Sequence, residues 1–130
     1  MATLMIVDDD HTMVSLLKIL LEMEGHRVVN AVQEEAIFSS LRAEKPDLVL
    51  MDVFLPGVDG MAVLTQIRAT PELANTRVVM TSGMDVSDQS KAAGANGFLL
   101  KPYMPEQLIA IIEENLGQDG SRGSRGQRGM

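Results

Sequence analysis

The chain has 130 residues, a formal net charge of −7 and no cysteine, which points to one domain with one core and excludes disulfides and thiolate zinc sites. Apolar residues make up 45% of it, yet none of its runs approaches the roughly 20 residues that span a bilayer, and no signal-like segment leads it, so a cytoplasmic, membrane-free protein is expected. Arg122, Arg125 and Arg128 against Asp119 leave eight basic and seventeen acidic residues up to Gly117, a body of −9 that is a poor binder of nucleic-acid phosphates.

Short apolar runs alternate with longer amphipathic segments along the chain. Residues 4–7 read as a buried strand, and residues 12–24 as a helix with Val14, Leu17, Leu20 and Leu21 on one face, stopped by Gly25. Residues 27–31 form a second strand and residues 34–43 a second helix, ended at Pro46. A fully apolar strand at 48–51 leads to a turn at Pro56 and Gly57, and then to a helix at 61–69 whose Val63, Leu64 and Ile67 share a face. Strand 78–81, a short helix at 87–93 closed by Gly94, strand 98–100 and a last helix from Pro105 to about Leu116 complete the pattern. Five strands alternating with five helices predict an α/β domain, a single parallel sheet covered on both faces. From Gly117 the composition turns to Gly, Ser, Gln and Arg, so residues 1–117 read as the domain and 118–130 as a disordered tail, either a linker remnant or inert end or a weak hook for RNA or acidic surfaces.

In an open parallel sheet, ligands bind beyond the carboxyl ends of the strands. Asp8, Asp9 and Asp10 follow the first predicted strand, Asp52 the third, Ser82 the fourth and Lys101 the fifth. Carboxylates crowded in this way repel one another unless a cation intervenes, and an all-oxygen set suits Mg²⁺. Lys101 adds a point charge and Ser82 a rotatable hydroxyl, an inventory that fits phosphoryl transfer, where positioning and charge neutralisation dominate. Asp10 reads as a helix N-cap and Asp59 as turn chemistry, while His11 and His26 have no partner at metal-ligand spacing. The ten methionines read as core filler and helix surface, with a partner-binding face as the other use.

The segments MIVDDD at 5–10, PDLVLMDVFLPGVDG at 46–60, VVMTSG at 78–83 and GANGFLLKPY at 94–103 resemble the receiver domains of bacterial two-component response regulators, chemotaxis receivers among them. The resemblance covers residues 1–117. It implies a doubly wound, flavodoxin-like five-stranded sheet in the order 2-1-3-4-5. It also implies Asp52 as nucleophile and phosphorylation site, and Asp8, Asp9, Asp52 and the backbone carbonyl of Phe54 as the Mg²⁺ ligands. Lys101 becomes the lysine that contacts the phosphoryl group, Ser82 the switch hydroxyl (Thr81 being the alternative) and Phe98 the aromatic switch, with a cis peptide between Lys101 and Pro102. The implied partners are a sensor histidine kinase or phosphotransfer protein, an unknown downstream protein and, through the same signalling face, a second copy. Such a domain phosphorylates and dephosphorylates only itself.

Two departures from the family pattern stand out. The segment from Ser82 to Lys101 is a few residues shorter than usual, and Phe54 and Met84 are apolar where side chains that orient attacking water are often polar, which implies slow self-dephosphorylation. Two rival readings are a degenerate receiver that only binds partners, and a haloacid-dehalogenase-type phosphatase in which IVDDDHT at 6–12 supplies Asp8 as nucleophile and Asp10 as acid/base. The latter leaves Asp52 unexplained and lacks a final acidic motif. No output module follows Leu116, as in a stand-alone receiver or a piece of a longer regulator.

Overall fold

The computed structural model describes residues 1–117. The proposed tail at 118–130 lies outside the described residues. In chain order the elements are β1 (Thr3–Val7), α1 (His11–Met23), β2 (Arg27–Asn30), α2 (Glu34–Glu44), β3 (Leu48–Asp52), β4 (Phe54–Leu55), β5 (Val58–Asp59), α3 (Gly60–Ala69), β6 (Arg77–Ser82), α4 (Ser87–Ala92), β7 (Gly97–Leu100) and α5 (Pro105–Gly117). The main sheet is parallel, in the order β2-β1-β3-β6-β7. Counting only its own five strands, this is the expected 2-1-3-4-5.

The strands are apolar in their middles because both faces of the sheet are covered, and their polar residues fall at the strand ends. Successive residues serve opposite layers: Leu4, Ile6, Leu48, Leu50 and Val79 pack with Leu17, Leu21, Leu108 and Ile112 of α1 and α5. Met5, Val7, Val49, Met51, Val78 and Met80 pack with Ile37, Leu41, Val63, Leu64 and Ile67 of α2 and α3. This period of two, sandwiched between helices, is what fixes the register of each strand. Among the described residues no helix is long and apolar enough to cross a membrane.

Local signals act as the sequence suggests. The Asp10 side chain accepts the Met13 N–H and starts α1, and the Asp59 carboxylate accepts the Met61 and Ala62 N–H groups and starts α3. Gly25 follows the end of α1 at φ +93°, a conformation that disfavours any residue with a Cβ. The sequence reading missed the small antiparallel ribbon of β4 and β5. The expected turn at Pro56 and Gly57 is its loop, with Gly57 at φ +71° after a proline, the pairing used by type II turns. Two residues per strand are too few to leave a periodic signal. β3 and β6 run slightly longer than expected, so that Asp52 and Ser82 are their last residues rather than the first beyond them, while β2 ends one residue early at Asn30.

Candidate functional site

The polar groups gather at the carboxyl edge of the sheet, where β1, β3, β6 and β7 end side by side. Asp8 and Asp52 are buried, 3% and 8% exposed, while Asp9 is exposed. Their carboxylates come together: one oxygen from each of Asp8, Asp9 and Asp52 lies within 4.8 Å of the others. Lys101 reaches in from the end of β7, its ammonium 2.8 Å from Asp8 Oδ2 and 2.9 Å from Asp52 Oδ2. The other oxygens of Asp8 and Asp52 are held by the backbone. Asp8 Oδ1 accepts the Asp10 N–H at 2.9 Å, and Asp52 Oδ1 accepts the Phe54 N–H at 3.1 Å.

One ammonium shared by two buried carboxylates is a charge-assisted arrangement that fixes all three side chains. Burial alone would lower the Lys101 pKa, but the hydrogen bonds and charges of Asp8 and Asp52 outweigh it, and the ammonium is held above its ordinary value. Main-chain bonds lock the supporting strands: the Val53 N–H donates to the Thr81 carbonyl at 2.9 Å, and the Lys101 N–H to the Ser82 carbonyl at 2.7 Å. The Lys101–Pro102 peptide is cis, as the resemblance implies.

Among the other expected residues, Ser82 is fully buried, and its Oγ accepts the Met84 N–H at 3.0 Å. The alternative, Thr81, is also buried and pairs with Asp52 across β3 and β6. Phe98 lies within β7 opposite Met80, half-buried against the α2/α3 layer. Phe54 and Met84 are exposed apolar side chains.

The site suits a divalent cation by the chemistry of its donors, since three acidic oxygens converge and, among the described residues, no nitrogen or sulfur ligand joins them. Two features escaped the sequence reading. Gly60 presses on the chain beside Asp52: a Cβ there would collide with the Asp52 carbonyl and lie 2.9 Å from the Val53 Cα and carbonyl oxygen. Only the DG pair hinted at it, and that pair signals a turn whatever lies above it. Tyr103, just after the cis proline, buries its hydroxyl with no hydrogen-bond partner among the described residues; burial is the main cause of its pKa being pushed up to about 12.

The sequence matches the family model described as the response regulator receiver domain over residues 4–113. Protein PilH of Pseudomonas aeruginosa is 34% identical over 115 residues, 86% of this chain and 95% of that protein. The transcriptional regulatory protein AfsQ1 of Streptomyces coelicolor is also 34% identical, over 114 residues, 86% of this chain. The chain spans only about half the length of AfsQ1. Among solved structures, a response regulator from Chloroflexus aurantiacus superposes with a TM-score of 0.83 at 32% identity, covering 90% of this chain and 98% of that one. With this fold, the acidic cluster at its carboxyl edge and a match over most of its length, the chain belongs to the response regulator receiver domain family of two-component signalling.

Proposed function

We propose that Asp52 is the residue that accepts the phosphoryl group. The observation that carries this reading is the shared ammonium: Lys101 bonds Asp8 and Asp52 at once, at the end of the central strand. An Asp52 carboxylate oxygen attacks the phosphorus of a phosphohistidine, the new O–P bond forming as the P–N bond breaks and the imidazole departs. Lys101 balances the charge on the incoming group while Asp8 keeps its ammonium in place. Asp8, Asp9 and Asp52, with the Phe54 carbonyl, would hold Mg²⁺, which when bound neutralises phosphoryl and carboxylate charge. Ser82, released from Met84, contacts a phosphoryl oxygen, and Phe98 turns inward as the two-state equilibrium shifts. The domain acts on itself alone, as a phosphoacceptor regulator in the cytoplasm rather than as a conventional enzyme. Incubation with acetyl phosphate and Mg²⁺ should add one phosphoryl mass, lost in Asp52→Asn. No adduct on the intact chain would favour a degenerate, binding-only receiver. The haloacid-dehalogenase-type reading finds no support in the family match.

The phosphodonor is proposed to be a histidine kinase or phosphotransfer protein that docks on α1. This helix faces the core with Val14, Leu17 and Leu21, yet also turns Leu16, Ile19 and Met23 outward, 60%, 58% and 78% exposed. A helix apolar on both sides marks a face that something covers. Leu16 and Ile19 border a cleft of about 700 Å³ that reaches Asp10, Lys101 and Pro102, so a partner seated there sits beside the phosphoacceptor. Leu16→Glu should slow transfer from a phosphohistidine protein at least ten-fold while leaving labelling by acetyl phosphate intact. Equal slowing of both would contradict docking on α1. Downstream, the surface of α4, β7 and α5 is proposed for an output protein or a second copy of the chain; the acidic body argues against direct nucleic-acid binding, and no membrane contact is proposed.

A further inference from the structure

α3 runs from the phosphoacceptor to the far side of the domain. Its first residue, Gly60, lies on the backbone of Asp52 and Val53, and its last turn carries Arg68. The Arg68 guanidinium joins three segments. Its Nε donates to the Gly94 carbonyl at 2.9 Å, its Nη1 to the carbonyls of Ala74 at 3.1 Å and Thr76 at 2.7 Å, and its Nη2 to Asn96 Oδ1 at 2.9 Å. The same Asn96 oxygen accepts the Val78 N–H at 2.8 Å, and the Asn96 N–H returns a bond to the Val78 carbonyl at 2.8 Å. Every acceptor of this guanidinium is neutral, so the planar fork positions the chain rather than pairing charge. Gly94 takes φ +103°, and a Cβ there would come within 3.0 Å of Arg68 Nε, so glycine permits both the turn and the approach.

What the fork holds is the connection from α4 to β7. α4 has six residues and packs chiefly on β7. In front of it, the Ser82 hydroxyl holds the Met84 N–H; behind it, Arg68 holds Gly94 and Asn96, four and two residues before Phe98. The stretch between Ser82 and Phe98 is therefore fixed at two points, one at the site and one reached through α3.

We propose that Arg68 is a positioning residue of the switch: through α3 it ties the backbone at Asp52 to the α4–β7 connection and holds Phe98 in its resting place. This rests on the reading of Asp52 as phosphoacceptor. On this proposal the four bonds are made in the resting arrangement and lost in the switched one, so weakening them lowers the cost of switching, and a ligand that prefers the switched state then binds more tightly.

Three variants test this. Arg68→Lys keeps the charge and loses the fork; Asn96→Ala removes the acceptor on the β7 side; Ile37→Val trims the core under α2, away from the clamp, and serves as a stability control. Beryllofluoride with Mg²⁺ is the probe, titrated while backbone amide signals are followed. Arg68→Lys and Asn96→Ala are expected to bind it roughly three- to ten-fold more tightly than the unaltered chain. In the free protein, their Gly97 and Phe98 signals should move toward the bound position, and Ile37→Val should change neither readout. Unaltered affinity in Arg68→Lys, or a shift in all three variants that follows their loss of Tm, overturns the proposal. If the unaltered chain binds no beryllofluoride, the Asp52 reading fails instead. The free-protein signals then decide alone, and unmoved Phe98 signals in both clamp variants overturn the proposal.

Discussion

Replacing Lys101 by Met removes the one cation shared by two buried carboxylates and leaves them facing each other. Each hydrogen bond to a charged group contributes about 1.5–3 kcal/mol, and removing one partner from a fully buried ion pair costs about 3–5 kcal/mol. The Lys101 side chain is 25% exposed, so water reaches the gap and the cost is discounted to about 2–4 kcal/mol. Much of that is the penalty of the orphaned carboxylates rather than the worth of the bonds. Urea unfolding at pH 7 without divalent cations should show it. With a slope of about 1.5 kcal/mol per molar urea, the midpoint should fall by roughly 1.3–2.7 M. Millimolar Mg²⁺ should recover at least half of the loss by neutralising the same carboxylates. The dependence on pH has a definite sign. Because the folded protein holds the Lys101 pKa above its ordinary value, this stabilisation is fully present below the ordinary lysine pKa and disappears as pH rises through the raised one. A loss under about 1 kcal/mol, or one that Mg²⁺ leaves unchanged, would refute the shared-ammonium argument.

Two further perturbations address the shape of the site and the lifetime of its product. Gly60→Ala places a methyl group against the backbone of Asp52 and Val53; it should destabilise by about 1–3 kcal/mol and slow labelling by acetyl phosphate, and unchanged stability with an unchanged rate would mean that the close approach is unimportant. Phe54 and Met84 are exposed and apolar; on the proposed reading they stand where polar side chains would orient water, so the acyl phosphate should last well beyond seconds and decay faster in Phe54→Asn. A native lifetime of seconds, read by intact mass over time, would contradict this.

The residues of the site were legible because an open parallel sheet brings strand ends together, and each strand is a short apolar run whose end can be read from the sequence. Asp8, Asp9, Asp52 and Lys101 meet as that rule requires. What stayed hidden depends on approach between segments distant in the chain. Gly60 looks like any glycine that opens a helix until the Asp52 carbonyl is placed above it. Arg68 looks like the basic last turn of an amphipathic helix, and nothing local shows that its acceptors come from residues 74, 76, 94 and 96. The β4–β5 ribbon is too short for periodicity to register, and Tyr103 reads as an ordinary residue after a proline although its hydroxyl is buried without a partner among the described residues. The difference is one of range: periodicity reports a segment's own burial, whereas a clamp or a close approach needs two segments at once.

The central claim is that the phosphoryl group sits on Asp52, and trapping it chemically tests this most directly. After incubation with acetyl phosphate and Mg²⁺, borohydride reduces an aspartyl phosphate to homoserine, which peptide mass spectrometry can locate. The account predicts homoserine at position 52 alone. Homoserine at position 8 or 9, or none on a folded protein that has gained the phosphoryl mass, would contradict it.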